Sequence, residues 1–189
     1  MPYEDDLEKD EFITDKINVG KQYQAHIIDV YREDDSDLFF VTFHLPQLNG
    51  IYKEKGKGLR VNLGGKNSEK KLAVQFLYNI GFPGKKVEPE RISNVSGGPA
   101  KIFEIEKMEN WLGLRCLLIF KEEPGFNDPE KKYKNIKREW NIKTDGIQPW
   151  GEGENLNVEQ VKELQEKFLK QEDEYNPEGG NKDEEDLPF

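Results

Sequence analysis

Apolar and polar residues alternate along three successive stretches in the first third of the chain. The alternation covers residues 22–31 and 38–45, and a third, shorter stretch is centred on Val61. A period of two is typical of strands that bury one face. Between the first two stretches, residues 34–37 carry short polar side chains that favour a turn by hydrogen-bonding their own backbone. These stretches predict three strands, the second of which turns Phe40 and His44 outward if Phe43 faces the core.

The apolar period changes to 3.6 residues after position 67. Leu72, Phe76 and Ile80 then share one face of a helix. Gly81 is suited to end this helix because glycine readily adopts the left-handed conformation. We therefore expect an amphipathic helix between the third predicted strand and the rest of the chain.

Two more strands complete the predicted order of three strands, one helix and two strands. They cover residues 114–120 and 133–142, and the polar residues 122–132 form the loop of their hairpin. This is the order of the OB-fold, a five-stranded barrel whose helix lies between strands three and four. We expect a mainly β protein with an OB-fold-like barrel; spacing alone leaves an open sheet of the same elements as the alternative.

Charge is distributed unevenly along the chain. Residues 1–20 carry seven acidic and two basic side chains, residues 21–145 carry 18 acidic and 22 basic ones, and residues 146–189 carry 13 acidic and four basic ones. A mildly basic body with acidic ends is compatible with phosphate binding, despite the net charge of −10. Four segments are predicted: an acidic N-terminal segment (1–19), the OB-like body (20–145), a linker with a short amphipathic helix (146–175) and a disordered acidic tail (176–189).

The sequence contains few residues in patterns that are typical of catalytic or cofactor-binding sites. His26, His44 and Cys116 are the only histidines and cysteine, so no zinc ligand set with the usual spacing can be drawn. Residues 64–68 do not form a P-loop, because that motif requires Gly at position 60 and Ser or Thr at 67, where this chain has Arg60 and Asn67. We expect no metal, no cofactor and no enzymatic activity, and we expect His44 at the surface. A small metal-dependent nuclease is the alternative, with these carboxylates as candidate ligands: Asp29, Glu33 and Asp35.

The cellular compartment is inferred from three features: membrane-spanning segments, signal peptides and disulfides. No apolar run is long enough to span a membrane, and residues 3–6 are too acidic for a signal peptide. A single cysteine excludes an intramolecular disulfide. We therefore expect a cytoplasmic protein.

The acidic tip, residues 183–189, is the most specific motif. Four acids, Asp183, Glu184, Glu185 and Asp186, run directly into Leu187, Pro188 and Phe189. Apolar side chains at the end of a disordered tail gain nothing from folding, so a partner pocket explains them. Phe189 would fill an apolar pocket while its carboxylate pairs with an Arg or a backbone nest, and the acids would steer the tip to a basic rim.

The tip resembles the C-terminal motif of bacterial single-stranded DNA-binding proteins (SSBs), with Leu187 where that family usually has Ile. The body is similar to phage proteins of this kind in three segments: 20–27 (Gly-Lys-Gln-Tyr-Gln-Ala-His-Ile), 50–53 (Gly-Ile-Tyr-Lys) and 80–81 (Ile-Gly). The resemblance implies a phage-encoded SSB with an OB-like body, located in the bacterial cytoplasm. It also implies that the tip docks onto replication, recombination and repair proteins.

Binding of single strands requires cations along the backbone path and aromatic faces for the bases. The cations cluster around the third predicted strand and in the last hairpin. They are Lys53, Lys55, Lys57 and Arg60 in the first cluster, and Lys131, Lys132, Lys134, Lys137 and Arg138 in the second. The candidate stacking rings beside them are Phe40, Tyr52, Phe126 and Tyr133. For each ring the alternative is core packing, and for each lysine it is a solvated surface.

These patterns predict a non-catalytic protein whose body coats single-stranded DNA and whose tip recruits partner enzymes. A second interpretation is an interaction decoy, which would carry an SSB-like tip without binding DNA. Homo-oligomerisation is compatible with the short helix predicted over residues 157–171.

Overall fold

The computed structural model describes residues 13–64, 67–82, 107–125, 127–139 and 141–170. Within these ranges the protein is mainly β. Its strands are β1 (Gln22–Arg32), β2 (Leu38–Leu45), β3 (Gly50–Tyr52), β4 (Leu59–Asn62), β5 (Arg115–Pro124), β6 (Lys132–Ile136) and β7 (Ile147–Gln148). Its helices are α1 (Asn67–Asn79) and α2 (Val158–Leu164), the latter followed by a π-helical turn (Gln165–Lys170). Short 3-10 turns lie at Thr14–Lys16, Pro46–Leu48, Glu54–Gly56 and Met108–Asn110.

Strand β1 lies at the centre of one antiparallel sheet with the order β3-β2-β1-β5-β6. The two short strands β3 and β4 pair with the two ends of β2, and β6 and β7 pair with different parts of β5. Each outer edge of the sheet is thus made of two short strands placed end to end. The sheet curls into a half-barrel, so the expectation of a mainly β, barrel-like protein is confirmed.

The observed elements differ from the predicted ones at both edges. The third predicted strand corresponds to β4. Strand β3 is an additional strand that the pattern did not predict, and the turn Glu54–Gly56 and Gly58 separate it from β4. The last predicted strand ends at Ile136, and the chain rejoins the sheet only at β7. Residues 147–148, expected in the linker, therefore belong to the sheet. The helix prediction is confirmed, since α1 buries Ala73, Phe76 and Leu77.

A β-bulge at Ile28 reverses the direction of the side chains along β1. Ile27 pairs with Phe43, both facing the core, but Asp29 rather than Ile28 pairs with Thr42. One extra residue in a strand shifts the alternation by one position. Beyond the bulge Val30 therefore faces the same side as Ile27, and Tyr31 faces outward.

The core lies inside the curled sheet and is closed at its side by α1. Trp111 is fully buried there, with its ring 4.9 Å from the rings of both Phe39 and Phe82. The inward strand residues are Tyr23, Ala25 and Ile27 of β1, Phe39, Val41, Phe43 and Leu45 of β2, and Cys116, Leu118 and Phe120 of β5. Burial raises the pKa of the Cys116 thiol, which keeps it protonated.

Side chains join the two outer edges of the sheet. The hydroxyl of Tyr52, at the end of β3, lies 3.1 Å from the carbonyl oxygen of Lys134 in β6 and equally far from Glu54 Oε1. The same Glu54 oxygen accepts a hydrogen bond of 2.9 Å from the backbone N–H of Ile136. Among the described residues no backbone ladder connects β3 or β4 to β6 or β7. We call this contact the Tyr52–Glu54 bridge.

Helix α1 joins the edges at the other end. The amide of Gln75 donates to the carbonyl of Glu139 at 2.8 Å and to the buried carboxylate of Asp145 at 2.9 Å. Asn79 donates to the carbonyl of Ile147 at 2.8 Å. Buried amides that are fully hydrogen-bonded specify one arrangement, since leaving them unpaired is costly. The helix thus anchors the segment that leads into β7.

We predict that Glu54→Ala lowers the free energy of unfolding by about 1–3 kcal/mol, because the buried N–H of Ile136 loses its acceptor and the Tyr52 hydroxyl keeps only the Lys134 carbonyl. Glu54→Gln keeps the acceptor oxygen and is expected to be at least as stable as the wild type. Urea titrations followed by circular dichroism measure both values. An alanine variant as stable as the wild type would show that the bridge does not hold the edges together.

The same pair of variants tests the charge of Glu54. Burial raises the pKa of this carboxyl, while the hydrogen bonds from Ile136 and Tyr52 oppose the shift. Its contribution to stability is therefore fully present below its ordinary pKa and is lost as the pH rises through the raised value. The stability difference between Glu54→Gln and wild type should grow with pH in that window, whereas Glu130→Gln, at an exposed hairpin residue, should show no such trend.

Candidate nucleic-acid interface

One end of the outer sheet face carries an open aromatic patch. Tyr31, Phe40 and Arg60 lie side by side on β1, β2 and β4 in register. The Tyr31 side chain is 59% exposed, and its ring centre lies 6.3 Å from that of Phe40. Lys57 Nζ lies 5.1 Å from the centre of the Phe40 ring. We call Tyr31, Phe40, Lys57 and Arg60 the β2 patch.

The turn between β3 and β4 places the lysine of this patch. Gly58 has φ +119°, and a Cβ at this position would lie 2.9 Å from the backbone N and O of Val41. Only glycine allows the chain to pass this close to β2. Lys55 also has a positive φ, of 54°. The compact turn therefore brings Lys57 against the Phe40 ring.

The β5–β6 hairpin carries a second patch of the same kind. Tyr133 is 45% exposed, and Lys131 Nζ lies 5.8 Å from the centre of its ring. Gly125 lets the ring lie against the backbone, since a Cβ there would be 2.8 Å from Tyr133 Cε2. Lys132 is exposed beside them. We call Lys131, Lys132 and Tyr133 the hairpin patch.

The turn that contains Lys55 lies against β6 of the hairpin. Glu123 is the register partner of Tyr133. Its pKa is lowered, first by the hydrogen bond from Asn135 and then by Lys121, with Lys55 adding a smaller share. The turn Glu54–Gly56, which includes Lys55, contacts β6, while Lys57, the residue after this turn, contacts Phe40. The turn thus connects the two cation clusters that are far apart in the sequence.

Two predicted DNA contacts lie inside the protein, which corrects the sequence-based expectation. Tyr52 is 3% exposed because β3 turns it inward, against the ring of Phe120 at 4.8 Å. Arg138 is largely buried: it forms an ion pair of 3.1 Å with the buried Asp145 and donates to the carbonyl of Leu72 at 3.0 Å. The Arg138 guanidinium is thus paired with a buried carboxylate inside the protein and is not placed to bind a phosphate.

The other predicted DNA-contact residues differ in exposure and in their polar partners. Phe40 faces outward as expected, yet it is only 8% exposed beneath its neighbours. Lys134 donates to the carbonyl of Ile17 at 2.7 Å, and Lys137 pairs with Glu139 at 3.5 Å. Arg60 pairs with Glu69, and Lys53 is half-buried. Phe126 and the tip residues Asp183, Glu184, Glu185, Asp186, Leu187, Pro188 and Phe189 lie outside the described residues.

The other end of the same face is covered by residues 149–170, which we call the strap. His26 and His44 are register partners on β1 and β2. Trp150 lies with its ring centre 5.1 Å from that of His26, and Phe168 lies 5.4 Å from His44. Phe168 also joins a small apolar cluster with the fully buried Ile28 and Ile51. The expectation of a surface His44 is thus wrong, because a distant segment packs on it.

Hydrogen bonds hold both halves of the strap. In its first half, Arg115 donates to the carbonyl of Trp150 at 2.6 Å and to Asn155 Oδ1 at 2.7 Å, and His26 Nε2 lies 2.8 Å from the carbonyl of Glu154. In its second half, Gln165 donates to the carbonyl of Ile28 at 2.8 Å and Lys167 to Asn49 Oδ1 at 3.1 Å. A capping box begins α2, since Asn157 and Gln160 each accept a hydrogen bond from the backbone N–H of the other.

Burial keeps both histidines neutral. The pKa of His44 is lowered to about 4 by burial first, and then by His26 and Lys167. The pKa of His26 is also lowered by burial, and Arg115 adds to this shift, although the Glu154 carbonyl opposes it. Lowered histidine pKa values contribute stability above the ordinary value near 6.5 that is lost as the pH falls through the folded values.

Sequence reasoning missed Tyr31 as a candidate ring. Tyr31 is separated from the inward residues Tyr23, Ala25 and Ile27 by an even number of positions. In a regular strand it would therefore face the core as they do. The bulge at Ile28 reverses this assignment. The adjacent buried pair Ile27 and Ile28, followed by the acidic Asp29, is the signal that could have revealed the reversal.

Within the described ranges, no group of three or more His, Cys, Asp or Glu side chains could hold a metal ion. The part of the chain described by the structure also contains no helix with the length and apolar character needed to cross a membrane. Comparison with known protein families, curated proteins and solved structures gives no match. The chemistry of the two patches is therefore the basis for assigning a function.

We predict that Arg138→Met destabilises the protein by about 3–5 kcal/mol, because it leaves the Asp145 carboxylate buried without its cation. The matched change Arg60→Met breaks an exposed pair and should cost about 1 kcal/mol or less. Urea unfolding of both variants measures the difference. Equal, small losses would contradict the structural role of Arg138.

Proposed function

We propose that the protein is a non-catalytic single-stranded DNA-binding protein whose acidic tip recruits partner proteins. The observation that carries the proposal is the pairing of rings and cations: of the described aromatic residues, Tyr31 and Tyr133 are the exposed ones, and each lies in a patch with a lysine. Exposed rings beside cations are the requirement for binding bases and phosphates without sequence preference.

The fold supports the same proposal. A long, bulged first strand pairs with both the second strand and the strand that follows the helix, and α1 lies between β4 and β5. We interpret this arrangement as an OB-fold in which side chains replace the closing ladder. OB-folds bind oligonucleotides on the face of their second and third strands and with the adjoining loops. Phe40 and Arg60 of the β2 patch lie on the corresponding strands, next to Tyr31 on β1, and the hairpin patch lies at the start of β6 and in the loop before it.

The cations suit a single strand better than a specific duplex site. They occur on turns and on a curved sheet face, and no described helix presents a row of basic residues. Stacking on Tyr31 and Tyr133 requires bases that are free of a duplex. Arg60 and Lys137 contribute less to this surface because each already has an acidic partner.

We predict that Tyr31→Ala and Tyr133→Ala each weaken binding of oligo-dT by about 1–3 kcal/mol, the usual contribution of one stacked base. Fluorescence anisotropy of labelled oligo-dT measures the affinity. Val19→Ala, which removes an exposed apolar side chain outside both patches, is the control. Wild-type affinity in both tyrosine variants would remove these rings from the site.

The lysines are expected to act through salt dependence. Lys57→Gln and Lys131→Gln should each reduce the slope of log affinity against log salt by about 0.7, the value for one phosphate contact on a single strand. Lys143→Gln, at an exposed position outside both patches, should leave the slope unchanged. A protein that shows no oligo-dT binding at low salt would instead favour the decoy interpretation.

The acidic tip supplies the second part of the proposal. Its four acids and the Leu187-Pro188-Phe189 segment combine charge steering with an apolar anchor. We predict that an immobilised peptide of residues 176–189 retains replication or repair proteins from bacterial cytosol, identified by mass spectrometry. The Phe189→Ala peptide is the matched control and should lose this retention. Retention of the same proteins by both peptides would contradict a role for the anchor.

A further inference from the structure

The covered and open parts of the outer face form one continuous surface. Along β2, Phe40, Thr42 and His44 face the same side. Consecutive outward residues on a strand are about 7 Å apart, so His44 lies about 13 Å from Phe40 along the strand. The β2 patch and the second half of the strap therefore lie next to each other on this face, with Thr42 between Phe40 and His44.

The strap packs on this surface with the kind of contact that a nucleotide would make. Phe168 places a ring 5.4 Å from the His44 ring, with an interplanar angle of 38°. Residues 149–170 carry five acidic and three basic side chains, so the strap is net negative. An aromatic ring on an acidic chain competes naturally with a base on a phosphate chain for the same surface.

The two halves of the strap are held differently. Residues 149–156 are fixed by Arg115 and by the hydrogen bond of 2.9 Å from Leu156 N–H to the carbonyl of Gly113. Residues 157–170 rest on the sheet through Phe168 and a few neighbouring apolar side chains, with Gln165 and Lys167 as polar contacts. Val161 and Phe168 are the buried apolar side chains among the described residues of this second half, so its apolar contact is small and is the part that can lift while the first half stays attached.

We propose that residues 157–170 are a displaceable cover, and that single-stranded DNA displaces them to extend its site from the β2 patch onto Ile28, His44 and Ile51. This inference rests on the proposed function and adds regulation to the same site. The closed cover lowers the apparent affinity, since only the open fraction of molecules offers the longer site.

Hydrogen exchange of the full-length wild type tests the cover directly. Adding saturating oligo-dT should accelerate amide exchange in residues 158–168, whereas exchange in β5 should not accelerate. A short oligonucleotide that fills only the β2 patch should have a smaller effect than a long one. Unchanged or slower exchange in residues 158–168, with DNA bound, would overturn the cover.

A matched pair of variants tests it by affinity. Phe168→Ala removes the ring on His44 and should tighten binding of long oligo-dT by about fivefold, as expected if the open fraction rises from about a fifth towards one. Val158→Ala, on the same helix but 71% exposed, should bind as the wild type does. Circular dichroism establishes that both variants remain folded.

The outcomes separate this inference from the proposed function. If the wild type binds oligo-dT and Phe168→Ala binds with equal affinity, the cover is rejected while the proposed function stands. If Phe168→Ala binds and the wild type does not, the cover is supported in a strongly closed form. If neither protein binds at low salt, the proposed function fails and the cover fails with it.

Discussion

The arrangement of the whole surface depends on the Tyr52–Glu54 bridge. The two outer edges of the sheet are each built from short strands, and a phenol and a carboxylate join them where a backbone ladder would otherwise run. This contact holds the turn Glu54–Gly56, with Lys55, against β6, while the next residue, Lys57, contacts Phe40 of β2. One small polar contact thus sets the relative positions of two patches that are about 75 residues apart in the chain.

Local periodicity predicted the parts of the fold that depend on local contacts. The inward face of β2, the apolar stripe of α1 and the capping-box spacing of Asn157 and Gln160 before α2 all match the sequence patterns. Each of these features is decided within one element, by alternation, helical spacing or a hydrogen bond to a near neighbour. Side-chain direction within a regular element is therefore readable from the chain alone.

The remaining features depend on contacts between distant segments. Arg138 is positively charged and lies in a basic stretch, yet its position follows from the burial of Asp145, which no pattern indicates. His44 is buried because Phe168, far along the chain, packs on it. The Tyr52 hydroxyl forms a hydrogen bond with the carbonyl of Lys134, on the opposite edge of the sheet. In each case the deciding partner belongs to another element, so composition and spacing near the residue carry no information about it.

The bulge at Ile28 also has a consequence for how the chain reaches its correct pairing during folding. An unbulged β1 would be a plausible competitor, since it keeps the regular alternation of the first half. That competitor would turn Asp29 and Tyr31 into the apolar interior and expel Val30. Placing a carboxylate among hydrocarbon side chains is strongly unfavourable. Asp29, directly after the bulge, thus disfavours the unbulged pairing, independently of any role on the finished surface.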